Sequence, residues 1–224
     1  MTHRLILGDR AYSSWSLRAA LLVDRFDLPV ETDFISFLGK SVAEQLTDTP
    51  PARTVPTLVL DDGSVVWDSL AVAETLADLF PDAGLWPAGI SERATARALA
   101  SEMHSGFAAL RTMCPMNLRV AYRDWDPGLE VAEDLRRIDV IWDHALTRSG
   151  GPWLCGDYSI ADAFFAPVAA RIAGYGLSIS DSASSYVAAH LAEPTFRAWR
   201  AKSLTDGPDL PQYVRDYPQT DWPG

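Results

Sequence analysis

Thr54 to Pro81, TVPTLVLDDGSVVWDSLAVAETLADLFP, is the stretch that decides the fold class. Proline has no N–H to give to a ladder, so Pro56 belongs just ahead of a strand, as a cis residue in a tight turn. TLVL (57–60) and SVVW (64–67) are rich in β-formers and flank Asp61-Asp62-Gly63, which makes them the clearest hairpin in the chain. From Ser69 the apolar spacing turns helical through LAVAETLADLF, and Pro81 stops it.

Working outward toward the N-terminus, RLIL (4–7) reads as a short buried strand ended by Gly8-Asp9. Leu17, Leu21, Leu22 and Phe26 then fall close to one helical face, which predicts a helix from about Ser14 to Phe26. VETDFISF (30–37) supplies a second strand, and 42–46 a short helix before the breakers TDTPPAR. The order strand, helix, strand, short helix, strand, strand, helix defines a small α/β unit over residues 1–81.

In the other direction, PDAGLWPAG is rich in Pro and Gly without periodicity, so 82–90 read as a linker. Residues 91–205 read as helical throughout. SERATARALASEMHSGFAAL (91–110) carries Leu99, Met103, Phe107 and Leu110 on one face, with Ser91 as its cap. LEVAEDLRRIDVIWDHAL (129–146) repeats the pattern, and Ser159 with Asp162 forms the reciprocal cap of a third helix that contains Pro167, where a kink is expected. Segments around 186–191 and 194–204 complete a bundle. The proline-rich 206–224 read as an extended tail on its surface.

Composition excludes several functions. The 224 residues carry a formal charge of -11, from 30 acidic and 19 basic side chains without a basic cluster, so nucleic acid and anionic membrane are poor partners. Cys114 and Cys155 stand far apart and the four histidines are scattered, which leaves no metal-ligand spacing. No run approaches the roughly 18 apolar residues of a membrane span. A cytoplasmic protein is the expectation.

Two places remain where polar side chains gather at helix starts. In Tyr12-Ser13-Ser14-Trp15-Ser16-Leu17-Arg18 the serines either cap the first helix or turn their spare donors, with the terminal N–H groups, toward an anion such as a thiolate. Asp68 and Ser69 likewise either cap the helix that follows the hairpin or receive the charged end of a ligand there.

An α/β unit followed by a linker and a helical domain resembles the cytosolic glutathione transferases. Three motifs in the right order carry the resemblance: SSWSLR (13–18), the stretch 54–81, and GDYSIADAFFAPV (156–168). The first is similar to the serine motif of the zeta-like members. The resemblance implies a thioredoxin-like domain with a mixed four-stranded sheet and an all-helical second domain, and an enzyme that conjugates glutathione, its co-substrate, to a small electrophile. By the family's spacing, in which the active serine stands five positions before the arginine, Ser13 is the first candidate to stabilise the glutathione thiolate and Ser14 the second. Val55, before Pro56, would pair its backbone with the tripeptide, Asp68 and Ser69 would take the γ-glutamyl end, and Lys40 would reach the glycyl end. Thr54 stands where zeta-like sequences often carry Lys or Gln. The electrophile pocket would lie between the domains, with Met103, His104, Phe107 and Arg111 as candidates in a setting of little charge that suits apolar electrophiles. A homodimer is implied, with Glu102 near the partner's glutathione. Trp15 stands where zeta-type maleylacetoacetate isomerases have cysteine, and no cysteine lies within 13–16, which disfavours thiol oxidoreduction. A glutathione-dependent cis-trans isomerase and a non-catalytic binding or interaction protein are the alternatives.

Overall fold

Leu5, Ile6 and Leu7 explain the sheet. Successive side chains of a strand point to opposite faces. In β1 (His3–Leu7) the first and third of these are fully buried in the main core, while Ile6 packs on the other side with Leu46, Ala52 and Val55. A strand covered on both faces belongs in the interior of a sheet. In this computed structural model, which describes residues 2–223, β1 runs parallel to β2 (Val30–Phe34) and antiparallel to β3 (Thr57–Val59), and β3 pairs with β4 (Val65–Val66). The strand order β2-β1-β3-β4 gives a mixed four-stranded sheet, the thioredoxin-like arrangement. Register places Leu5 opposite Leu58, and Leu58 opposite Val66.

α1 (Ser14–Arg25) crosses from β1 to β2 and buries Leu17, Leu21 and Leu22 against the sheet. Each such side chain contributes roughly 1.5–3 kcal/mol by leaving water. α2 (Val42–Gln45) starts with a Ser41–Glu44 capping box, and α3 (Ser69–Leu79) starts at Asp68. The second strand is shorter than the expected 30–37, because Phe37 folds inward beside Gly8 and Val55 instead of continuing the ladder.

The helical part comprises α4 (Ile90–Ser105), α5 (Ala108–Met113), α6 (Gly128–Ser149), α7 (Ile160–Tyr175), α8 (Asp181–Ala192) and α9 (Pro194–Ser203). Two expectations need correction. The single helix over 91–110 is two, because Gly106 N–H closes α4 on Glu102 O and Phe107 turns into the left-handed region at φ 57°. A Cβ at Gly106 would sit 2.8 Å from that carbonyl, so this break admits no side chain. Ser91 is not the cap either: α4 begins at Ile90 after Gly89, without a side-chain hydrogen bond. The tail 206–224 includes β6 (Gln219–Thr220), which pairs with β5 (Ala121–Tyr122).

α7 is buried along nearly its whole length and packs on α1, α4 and α8, so it joins the two parts of the molecule. Asp162, fully buried, caps it: its carboxylate accepts from Ser159 N, Leu154 N and Tyr186 Oη at 2.9–3.0 Å. Beside it His190 is fully buried among the rings of Trp153, Tyr158 and Tyr186, with neither nitrogen hydrogen-bonded among the described residues. Burial holds its pKa down at about 3, against about 6.5 when unfolded. Between these values the unfolded chain binds more protons, so stability falls as pH falls. Measured by urea unfolding against His190→Phe, the parent is expected to lose about 1.4 kcal/mol per pH unit from pH ~6 to ~4, the contribution of Asp162 being common to both.

Candidate functional site

A chain of serine hydroxyls builds the start of α1. Gly8 N–H donates to Ser16 Oγ at 2.8 Å, Ser13 Oγ donates to the same oxygen at 2.8 Å, and Ser13 Oγ accepts from Ser16 N at 3.3 Å. Ser13, 5% exposed, is therefore the N-cap, with its hydroxyl engaged as donor and acceptor. Ser14, the first helical residue, is placed differently. Its Oγ accepts from Arg171 Nη2 at 3.3 Å, and its own O–H finds no acceptor among the described residues.

Arg171 comes from α7 and is almost fully buried. Its Nε donates to Cys114 O at 2.8 Å and its Nη1 to Pro167 O at 3.2 Å. Burial lowers its pKa to about 10, which leaves it charged at neutral pH. Cys114 is buried, and desolvation pushes its thiol up to about 12, so it holds no thiolate.

The N-terminus of α3 opens on the same cleft, a space of about 850 Å³ bounded by both parts of the chain. Asp68 caps α3 through Oδ1, which accepts from Leu70 N at 2.8 Å and Ala71 N at 3.2 Å, and its Oδ2 lies 3.3 Å from His104 Nε2. Ser69 is buried, and its hydroxyl has no partner among the described residues. Val55 precedes a cis Pro56, and neither its N–H nor its C=O enters a hydrogen bond among the described residues. Thr54 Oγ1 donates to Trp67 O at 3.1 Å, which ties the turn to the end of the hairpin.

The far wall is cationic. The break between α4 and α5 delivers Arg111, whose Nη1 donates to His104 O and Gly106 O at 3.2 and 3.4 Å. The guanidinium carbons of Arg111 and Arg18 each lie 4.4 Å from the Trp15 ring centroid, and His104 meets the same ring edge-on at 5.3 Å. Burial lowers the His104 pKa; Asp68 opposes this, and Arg18 and Arg111 reinforce it, so the imidazole is neutral at pH 7. Tyr213 closes one side by stacking on Tyr12 at 4.9 Å.

Ser13, Ser14, Thr54, Val55, Pro56, Asp68, Ser69, His104 and Arg111 thus line one cleft. Lys40 is exposed and does not line it. Met103, on the inward face of α4, and Phe107, in the turn between α4 and α5, lie in the core. Glu102 is held by Arg137 at 2.6 and 2.9 Å. The expectation of a weakly charged pocket fails, since Arg53, Arg111 and Arg171 line it against Asp68 alone among carboxylates. Sequence reasoning missed Arg53 and Arg171. The second left a signal, as the lone charge in the run Ala163–Ala173.

Residues 12–79, which carry both helix starts that share the cleft, match the family model described as glutathione S-transferase, N-terminal domain. Among curated proteins the chain is similar to a probable maleylacetoacetate isomerase of Caenorhabditis elegans, 28% identical over 176 residues, 76% of this chain and 79% of that one. Glutathione S-transferase 1 of Dianthus caryophyllus is 26% identical over 171 residues, 75% and 76% of the two chains. Among solved structures, a glutathione transferase homologue from a Burkholderia with bound glutathione superposes with a TM-score of 0.68 at 23% identity, over 92% of this chain and 100% of that one, which shows a shared fold. Among the described residues no His, Cys, Asp and Glu group is arranged to hold a metal ion, and no helix is long and apolar enough to cross a membrane.

The serine chain gives a direct prediction. Ser16→Ala leaves Gly8 N–H and the Ser13 hydroxyl without their acceptor, and is expected to lower stability in urea unfolding by about 1–3 kcal/mol.

Proposed function

We propose that this protein is a glutathione transferase in which the first domain binds the tripeptide and the helical domain holds the electrophile. The observation that carries this reading is Ser14: a hydroxyl at a helix start, backed by a buried guanidinium, with its own proton free to donate. A sulfur placed there is met by the O–H, by the positive end of α1 and by the field of Arg171, all of which favour thiolate over thiol. Each pKa unit so gained is worth about 1.36 kcal/mol. Ser13 serves as the cap that fixes this geometry, so the candidate role moves from the first serine to the second.

The remaining groups fit the rest of the tripeptide. The unpaired N–H and C=O of Val55 offer the cysteinyl backbone an added strand's pairing, Ser69 Oγ and the start of α3 take the γ-glutamyl carboxylate, and Asp68 Oδ2 takes its ammonium. Arg53, not Lys40, faces the glycyl end. The thiolate then attacks an electrophile held beside His104 and Arg111, and positioning with charge stabilisation supplies the rate. This reading carries a cytoplasmic homodimer with it.

A second reading keeps glutathione and changes the reaction to cis-trans isomerisation through a transient adduct. The similarity to a maleylacetoacetate isomerase and the cationic wall favour it, whereas Trp15 does not.

Ultraviolet titration of the bound thiol tests the assignment. Ser14→Ala is expected to raise the apparent thiol pKa by about one unit or more, with glutathione affinity little changed, and Ser13→Ala to lower stability first. A shift confined to Ser13→Ala exchanges the two roles. No shift in either variant removes the serine mechanism, and absence of glutathione binding to the parent overturns the reading itself.

A further inference from the structure

Among the described residues Asp68 is the only carboxylate that lines the cleft, and several groups compete for it. Its Oδ1 is engaged on α3, where it accepts from Leu70 N and Ala71 N. Its Oδ2 is the atom that the reading above, on which this inference rests, offers to the γ-glutamyl ammonium. That same oxygen lies 3.3 Å from Nε2 of His104, which comes from α4 in the other part of the chain. Asp68 is also the carboxylate whose charge acts on the buried Arg18 of α1.

The His104 ring is fixed on its other sides. Its Nδ1 is buried without a partner among the described residues, Trp15 meets it edge-on at 5.3 Å, and the Phe164 ring of α7 lies 6.5 Å away. The charged groups around it are Asp68 at the start of α3, Arg18 of α1 and Arg111 of α5, and α7 brings Arg171 to the same cleft. Burial, aided by Arg18 and Arg111, lowers the pKa of the ring against the pull of Asp68. A carboxylate oxygen has two lone-pair sites, so a neutral ring that lends it an N–H leaves room for an ammonium. A protonated ring does not, because two cations would then face each other across one oxygen.

We propose that His104 is the positioning residue for Asp68 and makes glutathione binding proton-linked: neutral, it holds Oδ2 where the γ-glutamyl ammonium lands, and protonated, it takes the place of that ammonium. The first domain supplies the carboxylate, and the helical domain supplies the group that decides when it is free. Glutathione affinity thus answers to a residue outside the domain that binds the tripeptide. In acid, each glutathione that binds displaces a proton from the ring to solvent.

S-methylglutathione is the probe, because it has no thiol to titrate. By calorimetry, its dissociation constant for the parent is expected to rise from pH ~7.5 to ~5 by about three- to tenfold more than for His104→Gln, whose amide donates without titrating. N-acetyl-S-methylglutathione, which lacks the ammonium, is expected to show no such difference. A reading that needs no variant comes from nuclear magnetic resonance: the His104 ring, assigned through its contact with Trp15, is expected to titrate at lower pH with S-methylglutathione bound than without. An equal pH dependence in the parent and His104→Gln, a difference that persists with the N-acetyl probe, or a His104 titration indifferent to the ligand overturns the proposal. Failure of the parent to bind S-methylglutathione at any of these pH values overturns the glutathione reading instead, so the two failures are distinct.

Discussion

The geometry of the site depends on one buried guanidinium. Arg171 projects from the most buried helix of the molecule and meets a carbonyl of the 114–119 loop, a carbonyl of its own helix and a hydroxyl at the start of α1. The planar fork of arginine reaches three acceptors in fixed directions, whereas an ammonium on a flexible stem would not hold them together. Its burial lowers its pKa without neutralising it, so the position of Ser14 and the field around it have the same source. The alternation of Leu5, Ile6 and Leu7 that centres the sheet, and the Asp162 cap that starts α7, matter to the site because they bring α1 and α7 into register for this contact.

Two helix starts and a cationic wall then divide the work. The starts of α1 and α3 present fixed partial positive charge where backbone N–H groups run out of partners. The wall of Arg53, Arg111 and Arg171 adds full charges inside a shape that limits their screening by water. In a chain with a large net negative charge, the cleft stands out by its local excess of arginine. The Asp68–His104 contact joins the two parts of the chain at the cleft, between a carboxylate that caps α3 and a neutral imidazole of α4.

Most of the fold could be read from local patterns. The hairpin at 57–66, the apolar face of α1 and the Ser159–Asp162 cap each rest on signals within a few residues, and their elements form where those signals place them. The break after Ser105 escaped because Leu99, Met103, Phe107 and Leu110 keep helical spacing across it, and only the close approach at Gly106 forces the turn. The site divides in the same way. Residues at helix starts, Ser13, Ser14, Asp68 and Ser69, announce themselves by type and position. The arginines do not, since Arg18, Arg111 and Arg171 converge from three different helices and a charge in sequence carries no direction. Which serine keeps a free proton was also out of reach, because it depends on Ser16 and Gly8 accepting and donating at distances that only packing sets.

The stacking of Tyr213 on Tyr12 makes one side of the cleft a contact between distant parts of the chain. The Tyr12 hydroxyl accepts from Leu210 N–H, 198 positions later. Joining segments so far apart costs loop-closure entropy that the local pairing of the hairpin does not. A nick that released the segment around Tyr213 would therefore open that side of the cleft and leave the strand pairing of β1 to β4 in place.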